Sequence, residues 1–239
     1  MNSSAVRELG RPTALAARPE DPLQRLAALE RGFHAPLILQ PLLCRVADQL
    51  GDGLAPPSPH PAVPLRAALA LLWAGLGRAD LHQALPLATA AEMIYHSMRC
   101  QREALRSDRR DVQAVLSRDL TLARALALFT GHGDLPTMDA ISQGAVCLSE
   151  ALLDDLEPSS NPHLRARKLG SYLGSCCQVG ALAAGLSAGG QRLAVAYGHL
   201  LMDPQAPTWE PNGHLPPIGD SPEASACFHA LQTLAAVGA

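Results

Sequence analysis

Three helices of this chain are predicted to open on a capping residue directly before a proline: Asp21-Pro22, Asn161-Pro162 and Ser221-Pro222. A capping side chain accepts from the first free N–H groups of a helix. Proline suits the first helical position, because the N–H it lacks would have no partner there. The apolar residues between these openings recur with a helical period. Leu23, Leu26 and Leu29 form a stripe that stops at Gly32. Met138, Ile141, Ala145, Leu148, Leu152 and Leu156 step by three or four.

The same signals predict helices from Pro22 to Gly32, from near Pro41 to Leu50, and over roughly 64–76. Pro86 starts or kinks the next one. Others are predicted over 111–130 with Gly131 as stop, along the Met138–Leu156 stripe, from Pro162 to about Gly185, over roughly 189–202, and from Pro222 onward. "DGLAPPSPHPAVP" and "DPQAPTWEPNGHLPPIGD" read as loops, and "SAGGQ" as a turn between helices. Residues 1–20 are polar and aperiodic and read as a flexible tail. No segment alternates as a strand does. The expectation is all-α, with one domain over 21–239.

Composition supports this and excludes other classes. The chain is 48% hydrophobic but only 3% aromatic, so its core must be built from Ala, Leu and Val, of which Ala and Leu are strong helix formers. A net charge of −3 leaves no broad basic surface for nucleic acid. Six cysteines without a C-x-x-C pair, and no secretory leader, read as reduced, mostly buried thiols of a cytoplasmic protein. "PLRAALALLWAGLG" is too short to span a membrane and carries Arg66.

Familiar catalytic patterns are absent. The nine histidines show no metal-ligand spacing, and there is no G-x-S-x-G or P-loop. Asp154, Asp155 and Glu157 precede Pro158 at a helix end and read as solvated charges. One stretch stands out. "AEMIYHSMRCQREALRSDRR" packs Arg102, Glu103, Arg106, Asp108, Arg109 and Arg110 into nine residues of a chain with few charges.

With "VLSRDLTLARALAL" and "RKLGSYLGSCCQVGALAAG" coming after it in that order, this stretch resembles the trans-type polyprenyl diphosphate synthases over roughly residues 22–203. Lys168–Gly185 is similar to the family's helix that begins Lys-Thr and ends Ala-Gly. Leu116–Ala125 is similar to its Gly-Asp segment, with Asp119 in the Asp position. Arg109 and Arg110 match its double Arg. The resemblance implies an all-α bundle, usually dimeric, in which magnesium neutralises the leaving diphosphate while isopentenyl diphosphate attacks the allylic cation.

Where this chain departs from the family, the chemistry is lost. The first Asp-rich motif falls on Arg102, Glu103 and Arg106, so two guanidinium groups stand where magnesium needs hard oxygen ligands. Even at an effective dielectric of about 20, a like-charge contact near 4 Å costs about 4 kcal/mol. The second motif should come after Tyr197-Gly198, where "HLLMDPQAPTWEPNGHLPP" stands. Its prolines break the helix and its carboxylates, Asp203 and Glu210, lack the spacing. In the isopentenyl diphosphate pocket the family's Lys and first Arg become Val63 and Pro64, leaving Arg66. Its His becomes Tyr95, with His96 adjacent. The chain ends after one further helix, where the family continues with several.

The resemblance thus implies a degenerate, truncated member without a catalytic residue, metal site or cofactor, magnesium included. Any activity it retained would be a prenyltransferase's. Its remaining cations, Arg66, Arg102, Arg106, Arg109, Arg110 and Lys168, are candidates for a metal-free diphosphate or anion site, or for docking an acidic partner. The plainer alternative is surface charge with intrahelical pairs, such as Glu103 with Arg106 or Arg99. Three functions are compatible with this: a non-catalytic subunit or regulator of an isoprenyl diphosphate synthase, a prenyltransferase with unusual chemistry, or a binding protein for a prenyl diphosphate or other lipid. A homodimer is expected, with a heterodimer with a full-length synthase as a further possibility, through the segment "VLSRDLTLARALALFTGHG". The helix beginning near Arg110 is expected beside the Lys168 helix.

Overall fold

The computed structural model describes residues 21–51, 63–77, 80–106, 112–132, 134–157, 159–203 and 221–238. The N-terminal segment 1–20, the first Pro-rich stretch over 52–62, the second over 204–220, and Arg109 and Arg110 lie outside them. Among the described residues the elements are helices and none is a strand.

They are α1 (Pro22–Gly32), α2 (Gln40–Gly51), α3 (Leu65–Gly75), α4 (Leu81–Arg106), α5 (Val112–His132), α6 (Leu135–Asp154), α7 (Pro162–Ala183), α8 (Ala188–Met202) and α9 (Pro222–Gly238). The local signals set most of these ends. Asp21 accepts from Leu23 N at 3.1 Å and Asn161 accepts from His163 N at 2.9 Å, each with proline at the first helical position. α7 stops where expected. Gly185 takes φ 66°, its N–H donates to Leu182 O, and Leu186 N–H donates to Ala181 O. This left-handed turn returns two orphan carbonyls to hydrogen bonds, and glycine adopts it without a Cβ clash.

Two expectations need correcting. Of the two readings of Pro86, a helix start is excluded, since α4 begins at Leu81 and runs through it. The proline removes one backbone donor, but Leu85, Leu87 and Ala88 around it are buried, and that packing holds the helix together across the gap. α5 lies chiefly along α4, whereas the Lys168 helix, α7, packs against α8, α6 and α3. The apolar residues of α5 are too few on one side to pack it deep in the bundle. Only Thr121, Ala125 and Phe129 are buried among its described side chains.

α3 forms the centre. All eleven of its residues are buried, as expected for a helix apolar nearly all round. α7 passes so close that a Cβ at Gly180 would lie 2.0 Å from Ala70 O. α7 and α8 meet as closely, with a Cβ at Gly198 falling 2.0 Å from Gly174 N. Tyr172 Oη donates to Ala91 O and Tyr197 Oη to Leu231 O, each at 2.6 Å, so the scarce aromatics tie separate helices together. All six cysteines are unpaired: three are buried, Cys100 and Cys147 are half-buried and Cys44 is exposed.

Candidate functional site

The polar residues of α4 fall into two clusters. The first surrounds Arg66, on the first turn of α3. Pro64 precedes that helix and offers no side-chain cap. Glu92 of α4 supplies it instead, its Oε2 accepting from Arg66 N at 2.8 Å and Ala67 N at 3.1 Å. Its Oε1 accepts from Arg66 Nη1 at 3.1 Å, while Arg66 Nη2 pairs with Glu30 of α1. The guanidinium carbon lies 3.5 Å from the centre of the Tyr95 ring, a cation–π contact.

Arg66 is 2% exposed and Glu92 1%. Burial pushes the Arg66 pKa down, but Glu92 and Glu30 outweigh it and hold the group well above its ordinary value. His96 Nε2 lies 3.6 Å from Glu92 Oε1. Burial lowers the His96 pKa despite that carboxylate.

The second cluster gathers the end of α4, the end of α6 and the start of α7. Asp155 is its hub. Arg102 Nε donates to Asp155 Oδ2 at 2.7 Å and Arg106 Nη2 to the same oxygen at 2.6 Å. Arg165 Nη1 donates to Asp155 Oδ1 at 2.8 Å, and its Nη2 reaches Asp21 Oδ1 at 3.3 Å. Lys168 Nζ binds Asp154 Oδ2 at 2.7 Å and Glu150 Oε2 at 3.3 Å. The hydrogen bond to Asp154 is the largest factor raising the Lys168 pKa. Arg102, Arg106, Arg165 and Lys168 thus meet Asp21, Glu150, Asp154 and Asp155, charge for charge.

The aspartates are therefore not the solvated helix end that their sequence position suggested. The Asp155 side chain is 7% exposed, because three guanidinium groups cover it, Asp154 is half-buried, and Glu157 faces water. Of the candidate cations, Arg102, Arg106 and Lys168 come together here. Arg66 does not join them; it is enclosed in the first cluster. Of the expected intrahelical pairs, Glu103 is joined by Arg99, at 3.4 Å. Sequence reasoning missed Glu92, Glu30 and Arg165 altogether. The available signals were a Glu on the otherwise apolar stretch "LATAAEMIY" and the spacing of Arg165 and Lys168 behind Asn161-Pro162.

Beside the second cluster lies a cleft of about 150 Å³ between α4 and α6, lined by Met98, Arg102, Leu105, Leu152 and Leu156 among others. A hard cation needs several oxygen ligands, and Asp155 and Asp154 are already held by guanidinium and ammonium groups. Among the described residues no three of His, Cys, Asp and Glu gather as a metal site.

No protein-family model matches the chain, and no curated protein matches it. Solved structures do. A polyprenyl synthase from Caulobacter crescentus, complexed with calcium and isoprenyl diphosphate, superposes with a TM-score of 0.52 at 18% identity, over 76% of this chain and 58% of that one. The chain has the polyprenyl synthase fold. A geranylgeranyl pyrophosphate synthase from Corynebacterium glutamicum matches with a TM-score of 0.58 at 16% identity, over 75% and 64% of the two chains. Heptaprenyl diphosphate synthase from Staphylococcus aureus matches with a TM-score of 0.57 at 17% identity, over 70% and 63%. The matched region spans about three fifths of the length of these polyprenyl synthase-fold chains. No described helix is long and apolar enough to cross a membrane.

Proposed function

We propose that the protein is a non-catalytic polyprenyl synthase-like chain, needing no magnesium, that acts as a subunit or regulator of an isoprenyl diphosphate synthase. One observation carries this reading. Arg102 and Arg106, which the resemblance sets on the first Asp-rich motif, and Lys168 are neutralised by the chain's own carboxylates. A diphosphate would have to displace Asp155 and Asp154 before it could use these cations, and those carboxylates leave no surplus positive charge to draw it in. Purified protein with magnesium, an allylic diphosphate and isopentenyl diphosphate should yield no elongated product. Product above a no-protein blank that Lys168→Ala abolishes would overturn the reading.

A partner would dock on α5. Val112, Leu116 and Leu120 are 68%, 63% and 52% exposed, and Leu126 is 44% exposed. Such a face on one helix marks an interaction surface. It suits a homodimer, or a heterodimer with a full-length synthase. Leu120→Asp with Leu126→Asp should shift the light-scattering mass to that of a monomer and abolish binding to the host's synthase, leaving stability within about 0.5 kcal/mol. Leu122 is unsuitable for this test because it packs against the core. The binding-protein alternative rests on the α4–α6 cleft, whose 150 Å³ falls short of the roughly 300 Å³ at which small-molecule sites begin.

A further inference from the structure

Arg167 differs from the cations on either side of it. Arg165 and Lys168 turn toward α6 and its carboxylates, whereas Arg167 turns toward α8 and forms no ion pair among the described residues. There α7 and α8 enclose a groove of about 240 Å³, lined by His163, Ala166 and Arg167 from α7 and His199, Met202 and Asp203 from α8. His163, Ala166 and Arg167 are three and four residues apart, so they share one face. Gly170 continues that face. A Cβ there would lie 3.2 Å from His199 Nδ1, so the lack of a side chain lets the imidazole sit close against the α7 backbone. Burial, and then the Arg167 charge, hold His199 below the usual histidine range.

We propose that this groove binds a single phosphate group, inorganic or a monoester, through the Arg167 guanidinium and the imidazoles of His163 and His199. A guanidinium presents forked donors that match phosphate oxygens. Asp203 lines the groove at the α8 end. The site is separate from the Asp155 cluster, which uses another face of α7.

The test tracks the histidine ring signals of the full chain by NMR as inorganic phosphate is added at constant ionic strength and pH 7. His163 and His199 should move and saturate, while exposed His34, His82 and His229 stay still. Arg167→Gln should weaken binding about tenfold or more with the thermal midpoint unchanged. Tighter binding of glycerol phosphate would assign the site to a monoester, and equal binding to free phosphate. A drift of all histidines alike, or undiminished affinity in Arg167→Gln, would overturn the proposal.

Discussion

Arg66 and Arg102 are each gripped by a carboxylate from another helix, yet the two arrangements differ in kind. At Arg66 the carboxylate also caps a helix, and the group is sealed from water. At Arg102 the carboxylate is shared by three guanidinium groups, one of them on the half-exposed Arg106. A buried charge that completes a backbone hydrogen-bond pattern is part of the fold. A charge network at helix ends is adjustable, because each member has a second partner or water to fall back on.

Three substitutions sharpen that contrast. The largest effect is expected at Glu92→Ala, which strands two backbone donors and the buried Arg66 charge together. Chemical denaturation should register a loss of about 3–5 kcal/mol. A loss under 1 kcal/mol would mean that Arg66 and Glu30 suffice without the cap. Asp155→Ala should cost less, about 1–3 kcal/mol, since Arg102 and Arg106 can turn to water while Arg165 keeps Asp21. If it cost as much as Glu92→Ala, the distinction between the clusters would collapse. Arg106→Ala should cost the least, 0 to about 1 kcal/mol, with the difference from the parent shrinking further in about 1 M salt. A salt-insensitive loss would mean that its alkyl chain, not its charge, matters.

The helices are legible in the sequence because their signals are local. Asp21 with Pro22, Asn161 with Pro162, and Gly185 each act within a few residues, and each marks a boundary in the fold. Pro86 misleads as a helix start because the buried residues around it, not its own ring, decide where α4 begins. The clusters are legible only as lists of charges. Asp155 meets Arg102 across 53 positions and Glu92 meets Arg66 across 26, and no spacing rule links residues that far apart. The resemblance to polyprenyl synthases points to Arg102, Arg106 and Lys168 as candidates. It does not foretell that Asp154 and Asp155, which read as a solvated helix end, neutralise them.

The complete burial of α3 has a consequence for the order in which the chain acquires structure. Eleven residues are fewer than the roughly 12–15 at which an isolated helix becomes marginal in water. Pro64 gives its first turn no side-chain cap, and the cap arrives only when Glu92 docks, 26 residues later in the chain. α3 should therefore appear together with α4 and not before it, so the central helix is a product of assembly and not its seed. Hydrogen exchange would register this directly. The Arg66 and Ala67 amides should exchange only through global unfolding, and exchange there through a lower-energy local opening would contradict it.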